Sequence, residues 1–296
     1  MFSRILVAVD GSENALRACE AGATLAKAYA AEVTVIHAIP SPSIYGAPPA
    51  GEQFYRKLDE EAKGIAEKAA SAIERDGVAK VRRETLRAHG STVQSLLDYA
   101  SSTKSELIVC GTRGLGGFRR MMIGSVSSGL VAHAGCPVLV VRTDNAGKKR
   151  PEFRRILVAV DGSEEARTAA KVAVDVAKKL EAEELTALYI MTLPWAAYSG
   201  DVAVPVENIE DQLEEVGEMA TAEVEAIAQK EGVKVKKAIE EEVGSSVGGI
   251  TKYAAAEKVD LIVLGTRGLG GVKRLLLGSV ANGVVTYAGC SVLVAR

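Results

Sequence analysis

Short, nearly unbroken apolar runs alternate along this chain with longer segments that mix Ala and Leu with charged residues. Beyond its first residue, the run Arg4–Val9 (RILVAV) has no polar member to face water, which predicts a strand buried on both sides. Asp10-Gly11-Ser12-Glu13 then turns the chain, and Ser12 is placed to cap an Ala-rich helix over Glu13–Ala30. Glu32–Ile39 reads as a second strand, followed by a loop with Pro40, Pro42, Pro48 and Pro49 and a helix over about Gln53–Asp76. A strand over Lys80–Ala88, a helix over Ser91–Thr103 and a strand over Leu107–Gly111 come next. A glycine-rich loop leads into a helix starting near Gly124-Ser125, and Pro137–Val141 is the last strand. Such alternation predicts the α/β class, with a parallel sheet covered by helices on both faces.

The whole pattern is written twice. ILVAVDGSE occupies Ile5–Glu13 and again Ile156–Glu164, and GTRGLGG occupies Gly111–Gly117 and Gly265–Gly271. AGCPVLVVR (Ala134–Arg142) is matched by AGCSVLVAR (Ala288–Arg296), while the offset drifts only from 151 to 154 residues. The 296 residues therefore predict two tandem doubly wound domains, 1–143 and 154–296, each with a five-stranded parallel sheet, joined by the polar linker 144–153.

Composition narrows the function classes. With aromatics at 4%, the core must be built from Val, Ile, Leu and Ala. Residues 1–147 carry a formal charge of +2, 148–155 of +4 and 156–296 of −8, so no broad basic surface forms and nucleic acid is a poor partner. No apolar run approaches the roughly 18–20 residues that span a bilayer. The opening MFSRILVAVD lacks a basic segment followed by a long apolar stretch, so no membrane partner and a cytoplasmic location are expected. The four cysteines (Cys19, Cys110, Cys136, Cys290) and three histidines (His37, His89, His133) show no metal-ligand spacing, and no metal site is expected.

The repeated loop carries the chemistry. Leaving the end of a central parallel strand, it lies where open α/β sheets bind ligands. Gly111, Gly114, Gly116 and Gly117 are suited to positive φ and to close approach of a ligand. A helix then starts at Gly124-Ser125, offering free N–H groups and the positive end of the helix dipole. Those features make a phosphate cradle, to which Arg113, Arg119 and Arg120 add positive charge, answered by Arg267, Lys273 and Arg274. There is no Walker sequence, and DGSE rather than G-x-G-x-x-G follows the first strand, so neither of the better-known phosphate loops is present.

The spacing G-x2-G-x9-G-[ST] is met by Gly111, Gly114, Gly124 and Ser125, and again by Gly265, Gly268, Gly278 and Ser279. With an opening strand that runs into Asp, the chain resembles the universal stress protein family in its tandem form and in its ATP-binding branch. The resemblance implies an adenine nucleotide α-hydrolase-like fold and one adenine nucleotide (ATP, ADP or AMP, with or without Mg²⁺) per domain. It places Asp10 and Ala38 beside the adenosine and Gly111, Gly114, Gly124 and Ser125 on ribose and phosphates. The matching set is Asp161, Ile190, Gly265, Gly268, Gly278 and Ser279, and phosphate contact by Arg113 and Arg267 is added from their charge. The resemblance further implies that the two halves pair through their last strands, and a homodimer of the whole chain is an open expectation.

No catalytic set emerges. Asp10 and Asp161 are the only acidic residues placed near the loop in both halves, and no His or second carboxylate recurs beside them. The leading expectation is a nucleotide-responsive stress-signalling module. A slow ATPase or autophosphorylating enzyme and a structural dimerisation protein that binds no nucleotide stay open. The loops Pro40–Gly51, with Tyr45, and Leu193–Val206, with Trp195 and Tyr198, differ strongly between the halves and are candidate lids.

Overall fold

The computed structural model describes residues 1–40, 52–88, 90–112, 123–142, 151–193, 206–268 and 277–296. They fall into two compact units, Met1–Pro151 and Glu152–Arg296. The first unit runs β1 (Arg4–Val9), α1 (Glu13–Tyr29), β2 (Glu32–Ile39), α2 (Glu52–Arg75), β3 (Val81–Arg87), α3 (Thr92–Ser102), β4 (Leu107–Gly111), α4 (Ser125–His133) and β5 (Val138–Val141). Its strand order is β3-β2-β1-β4-β5, and every neighbouring pair is parallel. The second runs β6 (Arg155–Ala159), α5 (Glu164–Leu180), β7 (Glu184–Leu193), α6 (Val206–Glu231), β8 (Lys236–Val243), α7 (Ser246–Ala256), β9 (Leu261–Gly265), α8 (Ser279–Tyr287) and β10 (Ser291–Ala295). Its order, β8-β7-β6-β9-β10, repeats the first, again all parallel. The α/β class and the five-stranded parallel sheets expected from the sequence are those of the structure.

Helices on both faces explain the unbroken apolar runs. Side chains of neighbouring strand residues point to opposite faces. Tyr189 of β7 meets Gly217 of α6, and the next residue, Ile190, meets Gly249 of α7, so both faces are covered. In β1 the consecutive Ile5, Leu6 and Val7 are each at most 1% exposed, and each such burial stabilises by about 1.5–3 kcal/mol. Four helices start alike. The hydroxyls of Ser12, Ser91, Ser163 and Ser245 accept from the backbone N–H three residues on, at the heads of α1, α3, α5 and α7.

This order creates a switch point. From β1 the chain winds outward to β2 and β3, then crosses to β4 and β5 on the other side. The crevice beyond the C-terminal ends of β1 and β4 is where such sheets take ligands. Asp10 follows β1 directly and Gly111 ends β4, while Asp161 and Gly265 hold the same places beside β6 and β9.

At the opposite end of the strands a carboxylate ties β1 to β4. Glu106 Oε2 accepts from the Ser3 N–H and hydroxyl, both at 2.6 Å, and from the Arg4 N–H at 3.1 Å. The Ser3 hydroxyl above all, with the two backbone N–H groups, holds the Glu106 carboxyl below its usual range. In the second unit Asp260 accepts from the Arg154 and Arg155 N–H groups, yet burial pushes its carboxyl up. A depressed carboxyl contributes stability above its unfolded pKa, about 4.3 for Glu, and loses it as pH falls through the folded value. Glu106→Gln is therefore expected to lower the stability of the first unit by about 1 kcal/mol at pH 7. The deficit against the wild type should shrink to nothing as the pH is taken below about 4 in thermal melts. A deficit independent of pH would show that shape rather than charge holds this contact.

Candidate functional site

Each glycine loop starts and ends at one point. Gly124 N–H donates to the Thr112 carbonyl at 2.6 Å, and Gly278 N–H donates to the Thr266 carbonyl at 2.7 Å. The loop is thus pinched where it leaves the strand and where the helix begins. In the first unit Thr112 N–H also donates to the Val141 carbonyl at 3.1 Å, and the Ser127 hydroxyl donates to the Gly111 carbonyl at 2.6 Å. Ala281 stands at the place of Ser127 in the second unit and has no such hydroxyl.

The helix starts at these pinches are unlike the others. Gly124 and Gly278 are the N-caps of α4 and α8, and neither helix receives a side-chain cap bond. A β-carbon on Gly278 would lie 3.2 Å from the Thr266 carbonyl oxygen and 3.3 Å from the Arg267 Cα, tighter than ordinary contact. The close pinch favours glycine at 278, and glycine has no side chain with which to cap. First-turn N–H groups of α8 are left facing the crevice beside Ser279, which is exposed as the first helical residue. Ser125 holds the same place in α4.

In the second unit the crevice is a cavity of about 470 Å³. It gathers Asp161, Ile190, Gly265, Arg267, Gly268, Gly278 and Ser279, the seven positions singled out there from the sequence. Asp161 Oδ1 accepts from the Ser163 N–H at 3.1 Å and from its hydroxyl at 2.6 Å. The other oxygen lies over Gly268, where a β-carbon would come within 2.2 Å of it. Arg267 Nη2 lies 3.2 Å from Glu165 Oε1 at the head of α5, while its buried Nε has no hydrogen-bond partner among the described residues. Ile190 lies inside β7 rather than at its end, because that strand runs on to Leu193.

Ile190, Ile250 and Leu213 give the cavity apolar lining, and a pair of hydroxyls lines it too. Thr192 Oγ1 and Ser246 Oγ are 2.8 Å apart. Tyr189 lines the wall, and burial first, then the negative charge of Asp161, raises its hydroxyl above the usual range. None of Tyr189, Thr192, Leu213, Ser246 or Ile250 was singled out from the sequence. Thr192 could have been found by stepping two residues along the strand from Ile190, which keeps the same face.

In the first unit Asp10 Oδ1 accepts from the Ser12 N–H at 3.0 Å, as its counterpart does. Ala38 is 9% exposed near the end of β2. Arg113 and Gly114 lie outside the described residues, as do Arg119, Arg120, Lys273, Arg274 and the lid aromatics Tyr45, Trp195 and Tyr198. One expectation is corrected. Positive φ occurs at Gly11 and Gly162 in the turns after β1 and β6, but at none of the described loop glycines, Gly111, Gly124, Gly265, Gly268 and Gly278. A β-carbon on Gly111 would lie 2.8 Å from the Asn14 carbonyl group, and one on Gly265 would lie 2.6 Å from the Glu165 carbonyl oxygen. These two glycines let the helix backbone reach the strand.

A duplicated doubly wound protein with an uncapped helix start at the switch point is the class that fold and site define. A profile of the universal stress protein family matches residues 1–142 and again 152–296, and the chain belongs to that family in its tandem form. Universal stress protein Rv2005c of Mycobacterium tuberculosis is 29% identical over 297 residues, covering 99% of this chain and 96% of that protein. A universal stress protein of Thermus aquaticus is 40% identical over 143 residues, which are 48% of this chain and all of that shorter protein. Among solved structures, a universal stress protein from Archaeoglobus fulgidus superimposes with a TM-score of 0.69 at 22% identity, covering 99% of this chain and 96% of that one. That likeness concerns the fold. Among the described residues no helix is long and apolar enough to cross a membrane.

Proposed function

We propose that each unit binds one adenine nucleotide and that the chain is a nucleotide-responsive regulator within the universal stress protein family. The observation that carries this reading is the second unit's cavity, lined together by an uncapped helix start, Arg267, Asp161 and apolar side chains. A helix N-terminus with free N–H groups favours a phosphate. Arg267 Nε, buried and without a partner among the described residues, costs about 1–3 kcal/mol until an acceptor reaches it, and a phosphate oxygen is such an acceptor. Gly268 and Asp161 flank the ribose, and the base lies against Ile190 and Ile250 with the Thr192 and Ser246 hydroxyls at its edge. The first cradle uses Asp10, Ala38, Gly111, Arg113, Gly114, Gly124 and Ser125 in the same way.

Binding is favoured over turnover. Asp161, which lines the cavity, accepts from Ser163 through Oδ1, and Glu165 beside the cavity pairs with Arg267. Among the described residues no group of three or more His, Cys, Asp or Glu forms to hold a metal, so any Mg²⁺ would arrive with the phosphates. Denaturing the purified chain and chromatographing the supernatant tests the reading. Between one and two equivalents of ATP per chain is the expected result, and ADP in its place would move the reading to hydrolysis. For protein stripped of nucleotide, ATP at about a hundred times its dissociation constant should add roughly 2.7 kcal/mol of stability. No released nucleotide and no shift in melting temperature with millimolar ATP would sink the proposal.

A further inference from the structure

Within the repeated segments the formal charges agree in both halves, and the first position past the repeated DGSE changes one. Asp10 matches Asp161, Glu13 matches Glu164 and Arg113 matches Arg267, but Asn14 is answered by Glu165. That position is not remote from the loop. Its backbone packs on the last glycine of the central strand in both units, since β-carbons on Gly111 and Gly265 would meet Asn14 and Glu165. In the second unit the added carboxylate reaches Arg267, 3.2 Å away, the one cation among the described residues that line the cavity.

From this contact we infer that Glu165 sets the ligand charge of the second cradle, which takes adenine nucleotides with few phosphates, whereas the first cradle, with neutral Asn14, takes ATP. The inference rests on the nucleotide reading above and adds a division of labour between the sites. Glu165 offsets Arg267 and leaves the phosphate end of the second cradle one unit more negative than that of the first. The side chains of Arg267 and Glu165 are 38% and 33% exposed, so the carboxylate is only partly screened by water. Each phosphate beyond the first adds negative charge near it, so the penalty grows from AMP to ADP to ATP. Adenosine, without charge, escapes it. A tandem protein with such a pair of sites could report the ratio of ATP to AMP, holding one of each.

Isothermal titration of the full chain tests this, with Ser125→Asp closing the first cradle so that the second is measured alone. Glu165→Gln, which keeps the side-chain shape, is expected to tighten ATP roughly tenfold and AMP about threefold and to leave adenosine unchanged. Glu165→Asn should act the same way, and 0.5 M salt should shrink the gap between ATP and AMP. Weaker ATP binding by Glu165→Gln would mean that the carboxylate positions Arg267 for the phosphate, and the inference falls. An equal change for adenosine and ATP would trace the effect to packing and also overturn it. If neither ATP, AMP nor adenosine binds the unsubstituted chain, the nucleotide reading itself fails, and that result is separate because no substitution is involved.

Discussion

Gly265→Ala is expected to destabilise the second unit rather than merely empty its site, and Gly111→Ala to do the same to the first. The new methyl group at 265 would lie 2.6 Å from the Glu165 carbonyl oxygen and 2.7 Å from its carbonyl carbon, and at 111 it would lie 2.8 Å from the same atoms of Asn14. These are backbone atoms in the first turns of α5 and α1, and they cannot rotate aside as a side-chain tip would. Relief requires the helix to move off the strand. Ala166 and Ala169, buried at 5% and 0% exposure, fix α5 where it is. Overpacking of this kind costs about 1–3 kcal/mol, and rigid backbone on both sides puts it at the upper end. For a unit of this size, 3 kcal/mol lowers the melting temperature by roughly 6–12 °C. Calorimetry of the full chain reads this directly. A variant that melts with the wild type but has lost its ligand would show that the glycine faces the ligand and that the helix contact is incidental.

The same two glycines show what a sequence conveys and what it withholds. Their recurrence at the end of an apolar run marks a place where no side chain is tolerated. It does not say what fills that place, and the helix backbone, not the ligand, fills it. At Gly111 the expected positive φ is absent, and Gly116 and Gly117, like Gly114, lie outside the described residues. The strands were legible for a simple cause: helices on both faces leave no polar side to interrupt Ile5–Val7 or Leu107–Val109. Asp10, Asp161 and the starts of α4 and α8 were legible because duplication preserved them while neighbouring residues drifted.

Other parts of the site had no such signature. Glu165 lies one residue beyond the repeated DGSE, and its contact with Arg267 depends on which way the first turn of α5 faces. The hydroxyl pair of Thr192 and Ser246 joins residues 54 positions apart. Only the packing of α7 against β7 brings them together, and neither residue carries a pattern of its own. Ser125 and Ser279 were read as phosphate donors at a helix start. The structure adds that the caps themselves are Gly124 and Gly278, so the serines occupy the first helical position and cap nothing.

That placement allows binding and stability to be pulled in opposite directions. Ser279→Asp puts a carboxylate at the first position of α8, and Ser125→Asp puts one at the first position of α4. A negative side chain there meets the positive end of the helix dipole and free N–H groups, which stabilises by about 0.3–1 kcal/mol. Both serines are exposed, so the larger side chain displaces nothing buried. The same carboxylate occupies the ground where the proposal sets the phosphates and repels them. Nucleotide affinity is expected to fall by two orders of magnitude or more at each altered cradle, from the lost N–H contacts and the repulsion together. Nucleotide-free, the variants should therefore melt at or slightly above the wild type, while millimolar ATP raises the melting temperature of the wild type and not that of the double variant. The double variant should also purify without bound nucleotide. Unchanged binding in Ser279→Asp would place the phosphates elsewhere in the cavity. A fall in binding accompanied by an equal loss of stability would show that the serine hydroxyl supports the helix start. Only the combination of a firmer fold and an emptied site assigns these two helix ends to the ligand.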